Sequence, residues 1–352
     1  MTGKERMDCA LAHREGDRVP IDDSPWATTI ARWHREGLPP SVAPREYFGY
    51  EMSGVGANLT LGLEPQLVEE TDEYRIVWDA NGALRKSFKH STSTPECIDF
   101  TVTTPEAWFA WKETMTIGRD RVNWEAGLLA MRHARENGLW FPYRTATGYD
   151  KTQAVVGSER LLMAMATDPE WCADIFMTWS DMIIRSAELM IEGGFVFDGA
   201  FLYDDMGYRN GPLFSPRMYR DLCKPAHAEV CDFFHRYGLK VILHSCGNVT
   251  ALVPDLIEAG FDCLQPLEVK AGMDLIGLKE KFGERLAFMG GIDVRKMASG
   301  DPRLIEEEIA TKIGLAKRGG GYIYHSDHSV PDNVSFESYK YVMELVRKHG
   351  QY

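Results

Sequence analysis

From residue 139 onward the chain repeats one pattern: a short apolar run, a polar or glycine break, then a longer amphipathic stretch. The strand candidates are 139–147, 200–203, 239–244, 261–266, 286–292 and 321–324. Helical patterns at 159–166, 169–193, 215–237 and 249–259 lie between them. Gly194, Gly238, Gly260, Gly283 and Gly319-Gly320-Gly321 stand where helices should stop before a strand. Strand–helix alternation of this kind demands parallel strands with covering helices. Strands recur roughly every 22 to 40 residues, so six such units plus the material before residue 139 suffice for an eight-stranded barrel. There is no G-x-G-x-x-G after a first strand and no Walker loop, which disfavours a nucleotide-binding doubly wound sheet. The expectation is an α/β chain in which residues 1–352 form a single (β/α)8 TIM barrel. Its N-terminal extension carries a hairpin over the mouth, because Asp79-Ala80-Asn81-Gly82 is a good turn between strand-like segments.

Bulk properties narrow the function. At 352 residues with 44% hydrophobic content, the chain can bury a full core. Its formal net charge of −13 argues against nucleic acid, whose phosphates need a basic surface. It has no apolar run of membrane-spanning length, and Met1 to Arg18 do not read as a leader. Its seven cysteines are odd in number and scattered, which suits reduced thiols. The expected setting is cytoplasmic, with no membrane partner.

In a barrel, functional side chains gather where strands end and βα loops begin. The sharpest such place is Val241-Ile242-Leu243-His244-Ser245-Cys246-Gly247-Asn248. Alternate residues of a strand share a face, so His244 and Cys246 can point together, and imidazole with thiolate suits zinc. A second run of the same shape, Tyr322-Ile323-Tyr324-His325-Ser326-Asp327-His328, follows. If the two ends meet, three ligands and an open position result, the plan of a catalytic zinc. His325 and His328 could instead act as acid–base groups. Asp204 and Asp205 close another strand as substrate anchors, a further ligand or partners of a ligand histidine. Arg144, Thr147, Gln265, Glu268 and Asp293 fall on the same rim, Asp293 also suiting a helix cap.

These motifs resemble the uroporphyrinogen decarboxylase superfamily, closest to its zinc- and cobalamin-dependent methyltransferase branch. The resemblance runs through Arg18-Val19-Pro20, residues 161–171, Ser215-Pro216-Arg217-Met218-Tyr219 and Pro225, and is strongest over 204–336. It implies a (β/α)8 barrel and a His-x-Cys pair, here His244 and Cys246, with a distant third zinc ligand. Aligning Val330-Pro331-Asp332-Asn333-Val334-Ser335 with the family's turn nominates His328. Asp327 or His325 remain alternatives. It also implies methyl transfer between a small methylated substrate, an O-methyl aromatic or a thiol, and a corrinoid (cobalamin) on a partner protein. Asp204, Asp205 and His325 are then the catalytic candidates, and a homodimer is compatible. Two rivals stand beside this. One is a metal-free decarboxylase, although Asp22-Asp23-Ser24-Pro25-Trp26 replaces the Arg-rich stretch that binds a many-carboxylate tetrapyrrole. The other is a non-catalytic ligand-binding barrel.

Overall fold

The computed structural model describes residues 1–90 and 94–352. Its helix Gly3–Leu11 begins with a capping box, in which Thr2 and Glu5 satisfy each other's backbone N–H groups. Four antiparallel strands follow farther on: β1 (Gln66–Glu70), β2 (Tyr74–Trp78), β3 (Ala83–Phe88) and β4 (Glu96–Phe100), in the order 1-2-3-4. The turn expected at Asp79–Gly82 joins β2 to β3, with Asp79 accepting from the N–H groups of Asn81 and Ala83. The hairpin is thus the centre of a larger meander. β1 is exposed along its whole length and β4 nearly so, and neither shows the alternation that marks a half-buried strand.

A parallel sheet then builds from β5 (Pro142–Ala146) and β6 (Gly199–Tyr203). After the two-residue pair β7 (Gly207–Tyr208) and β8 (Gly211–Pro212), it continues through β9 (Lys240–His244), β10 (Cys263–Gln265), β11 (Ala287–Met289) and β12 (Tyr322–Ile323). The order is β12-β11-β10-β9-β6-β5, every pair parallel. All six strands fall within or overlap the segments expected from the sequence. Helices Gly148–Val156, Ser158–Thr167 and Pro169–Glu192 separate β5 from β6, and Lys224–Arg236 precedes β9. Val253–Ala259, Leu275–Phe282 and Pro302–Ala316 occupy the later crossovers.

Two irregular segments close the ring. Residues 20–22 lie along β12, with Asp22 N donating to Tyr324 O at 3.1 Å and Tyr324 N to Pro20 O at 2.9 Å. Glu51 N reaches across to Ile21 O at 2.8 Å, and residues 51–55 pair with β5 and the residues just before it through Met52–Trp140 and Val55–Tyr143 bridges. The result is a (β/α)8 barrel of six strands and two extended segments. The meander falls between the second extended segment and β5, in a loop on the side where barrel sites form.

Strand alternation sorts the core into two layers. Met52, Trp140, Phe201, Ile242, Cys263, Ala287, Met289 and Ile323 form the cluster inside the barrel. Their neighbours, among them Ile21, Tyr143, Leu202, Leu243, Leu264, Phe288 and Tyr322, pack outward against the helices. Met7, Ala10 and Leu11 of the first helix join the inner cluster. Lys4 N binds Gly138 O at 2.8 Å and His13 Nδ1 donates to Gly283 O at 3.0 Å. That helix therefore lies across the end where the strands begin and stoppers it.

Candidate metal centre

The same alternation, carried one step past the inner apolar layer, turns Tyr203, His244, Gln265 and His325 toward the mouth. β9 and β10 run in register with His244 beside Gln265, and Ser245 N donates to Gln265 O at 2.7 Å. His244 Nδ1 donates to Gln265 Oε1. A neutral imidazole that donates through Nδ1 keeps its lone pair on Nε2. That atom is 3.4 Å from Cys246 Sγ and 3.3 Å from Asp205 Oδ1. Among the described residues, Asp205, His244 and Cys246 form a group whose ligand atoms all lie within 4.8 Å of one another.

Several contacts hold the donors in place. Asp205 Oδ1 accepts from Cys246 N at 2.8 Å, and the buried Glu268 accepts from Gly247 N at 2.7 Å. Gly247 adopts φ +77° and packs backbone to backbone with Gly207, where a Cβ would come within 2.4 Å of Cys246 O. The β7–β8 pair thus rests directly on the Cys246 loop. Burial alone would make His244 less basic. Its hydrogen bonds to Asp205 and Cys246 outweigh that and hold its pKa well above the ordinary value. Burial raises the Cys246 thiol, with His244 opposing. Burial would also raise Asp205, but the His244 and Cys246 N–H contacts win and lower it. Without a cation, a proton on Nε2 satisfies both acceptors, and an ion entering here displaces it.

The donor set fits zinc. Tetrahedral Zn–N, Zn–S and Zn–O bonds of the usual lengths put neighbouring ligand atoms about 3.4–3.6 Å apart, close to the 3.4 and 3.3 Å from His244 Nε2 to Cys246 and Asp205. An acceptor on the far nitrogen of the imidazole, as Gln265 supplies to His244, is the support zinc sites use.

The remaining rim residues sort differently. Asp204 follows the inward Tyr203, so parity turns it outward, where it is fully buried. It accepts from Asp150 N at 2.6 Å and lies 3.0 Å from His227 Nε2, while His227 Nδ1 and Tyr219 OH are 3.1 Å apart. It serves as a cap for helix Gly148–Val156 and does not join the donor group. His328 stands outside the 4.8 Å group, its ring edge-on to Trp26 at 5.8 Å. Burial, with Lys270 nearby, lowers its pKa. Asp327 accepts from Val269 N and Val294 N at 2.9 and 3.0 Å, so both oxygens hold loops, and burial raises its pKa to about 6. His325 Nδ1 donates to Ser326 O at 2.7 Å and lies 3.7 Å from Asp23. Asp293 caps helix Val294–Ala298, as its position suggested. Arg144 reaches Tyr203 OH and lies over the Phe201 ring at 4.8 Å.

A cleft of about 1030 Å³ opens beside the cluster, with Asp205 on its lining. Phe100 and Ile98 of β4 form one wall, and Met163 and Trp171 line it from the helices after β5. Asp150, also on the lining, is raised to about 6 by burial and by Asp205. Sequence reasoning passed over Asp150. Its signal was its place just past the end of β5, three residues after Thr147.

A model of the uroporphyrinogen decarboxylase (URO-D) family matches residues 151–349, and the chain belongs to that family. A methyltransferase from Methanosarcina mazei shares the fold, with a TM-score of 0.70, 16% identity and 99% of each chain covered. A glycosylated endo-beta-1,4-xylanase of glycoside hydrolase family 10 from Gloeophyllum trabeum overlaps at a TM-score of 0.43 with 11% identity, over 67% of this chain and 83% of its own. No curated protein matches the chain. No helix among the described residues is long and apolar enough to cross a membrane.

Proposed function

We propose that the protein is a zinc-dependent methyltransferase, moving a methyl group between a small methylated substrate and a corrinoid carried by a partner protein. The observation that carries this reading is the convergence of one imidazole nitrogen, one thiol and one carboxylate oxygen within 4.8 Å at the barrel mouth. His244, Cys246 and Asp205 would hold the ion, and His328 is the next donor on the same rim. Zinc supplies Lewis acidity, which polarises an ether oxygen or lowers the pKa of a thiol.

The chain's own residues bind and orient. The cleft walls of Phe100, Ile98, Met163 and Trp171 offer an apolar surface to a small organic substrate. Asp150 and Asp205 face it from the cluster side. Holding two reactants at one mouth replaces a bimolecular encounter with an oriented one. An O-methylated aromatic suits the mixed apolar and polar cleft slightly better than a thiol.

The test is metal analysis of purified protein, followed by methyl transfer to free cobalamin from a panel of methoxyaromatics and from methylcobalamin to thiols. About one zinc per chain is expected, since the cluster supplies one site. Zinc-free protein with no transfer activity overturns the reading. Zinc-free protein that releases CO2 from a carboxylated substrate would replace it with the decarboxylase.

A further inference from the structure

Beneath the donor group, one line of side chains crosses the mouth from β12 to β9. We propose that Gln265, itself oriented by His325, is a positioning residue that presents His244 Nε2, and not Nδ1, to the ion. The proposal rests on the metal reading above.

With His325 as the neutral ring, each link has one way to point. Ser326 O is a carbonyl and can only accept, so His325 Nδ1, 2.7 Å away, must carry the proton. In the neutral ring that leaves His325 Nε2 as an acceptor. Gln265 Nε2 lies 3.4 Å from both nitrogens of that ring and can only donate. The amide nitrogen therefore faces His325, and the amide oxygen faces His244. An amide oxygen can only accept, so His244 must donate through Nδ1. The lone pair then falls on Nε2, the atom beside Cys246 Sγ and Asp205 Oδ1. A reversed amide would put N–H against Nδ1, move the proton to Nε2 and remove that donor from the cluster.

The anchor at the far end is buried and hydrogen-bonded. His325 is buried, with Ser24 Oγ 3.5 Å from its Nε2. Asp23, near its Nδ1, is itself held by Ser326 Oγ and Tyr339 OH, both at 2.7 Å. A backbone carbonyl on β12's end thus sets the donor atom of a histidine three strands away.

The test reads nitrogen chemistry as well as affinity. In zinc-loaded wild type, ¹⁵N shifts should show His244 Nδ1 protonated and Nε2 bound to metal. Chelator competition should find zinc held roughly 10–100-fold more weakly in Gln265→Leu. Gln265→Glu, whose carboxylate also accepts from Nδ1, should stay within about threefold of wild type. His325→Phe frees the amide to turn and should weaken zinc less than Gln265→Leu. Metal bound through Nδ1 in wild type overturns the proposal, and that measurement needs no variant. So does a folded Gln265→Leu that binds zinc as tightly as wild type, which leaves the metal reading standing. Wild-type protein that takes up no zinc overturns both.

Discussion

The two faces of the barrel wall bury polar side chains in opposite ways. On the outer face Asp204 has Asp150 N–H and His227 beside it, and Asp23 Oδ2 collects the hydroxyls of Ser326 and Tyr339. Acceptors there meet donors, Asp204 Oδ1 taking the Asp150 N–H and Asp23 Oδ2 taking two hydroxyls. On the inner face at the mouth, a carboxylate, a thiol and an imidazole lone pair converge on one another. Acceptors gathered around a common point are stable only with a cation or a shared proton among them. The difference separates a side chain whose partners the fold supplies from one left open to a cation, although both lie at strand ends.

The comparison can be broken most directly at the sulfur. Cys246→Ala should lower zinc affinity by more than about 100-fold, beyond the loss from removing a supporting residue, while the metal-free protein melts within a few degrees of wild type. Elemental analysis with parallel calorimetry reads both. Asp204→Ala should invert that pattern. Stripping the carboxylate leaves the Asp150 N–H at the helix start without its acceptor, at a loss of about 2 kcal/mol in urea unfolding. Zinc loss as large as in Cys246→Ala, with stability unchanged, would abolish the distinction.

A titration sharpens the contrast at the other end of the wall. Burial of Asp262 is outweighed by His235, Lys240 and Val241 N–H, which hold its carboxyl below the ordinary value. Such a group stabilises the fold above the unfolded-state pKa, near pH 4, and the contribution is lost as pH falls through the lower folded value. The stability gap between wild type and Asp262→Asn should therefore be full at pH 6 and shrink steadily below pH 4 in urea titrations. A gap that widens on acidification would contradict the assignment. Tyr339→Phe removes one donor from Asp23 and should cost about 1 kcal/mol without touching zinc binding. Arg217 pairs with Asp221 on the open surface at 3.4 Å, and Arg217→Ala should move stability by less than about 0.5 kcal/mol.

Much of this is written in the amino-acid sequence itself. The six strands were legible because parallel strands buried on both faces write continuous apolar runs, with glycines closing the helices between them. His244 and Cys246 were legible as a pair through the two-residue period. Residues 20–22 and 51–55 were not, since each joins the ring by a few backbone bonds and carries no apolar run. Asp204 and Asp205 read as equivalent only until the inward Tyr203 fixes the parity. The place of Asp205 beside His244 and Cys246 was hidden for another reason: it lies 3.3 Å from His244 only because β6 and β9 pair in one particular register. His328 was nominated by likeness of motif, and its ring edge-on to Trp26 at 5.8 Å is packing that no spacing rule encodes. Gln265 stood on the rim in plain view, but which end of its amide faces which histidine depends on a carbonyl sixty residues on.

The helix Gly3–Leu11 has a bearing on traffic. With Met7, Ala10 and Leu11 packed into the inner cluster, the barrel is a cul-de-sac and not a tunnel. Whatever reaches His244 must arrive and depart through one doorway, so two reactants can meet there only where that opening admits both at once.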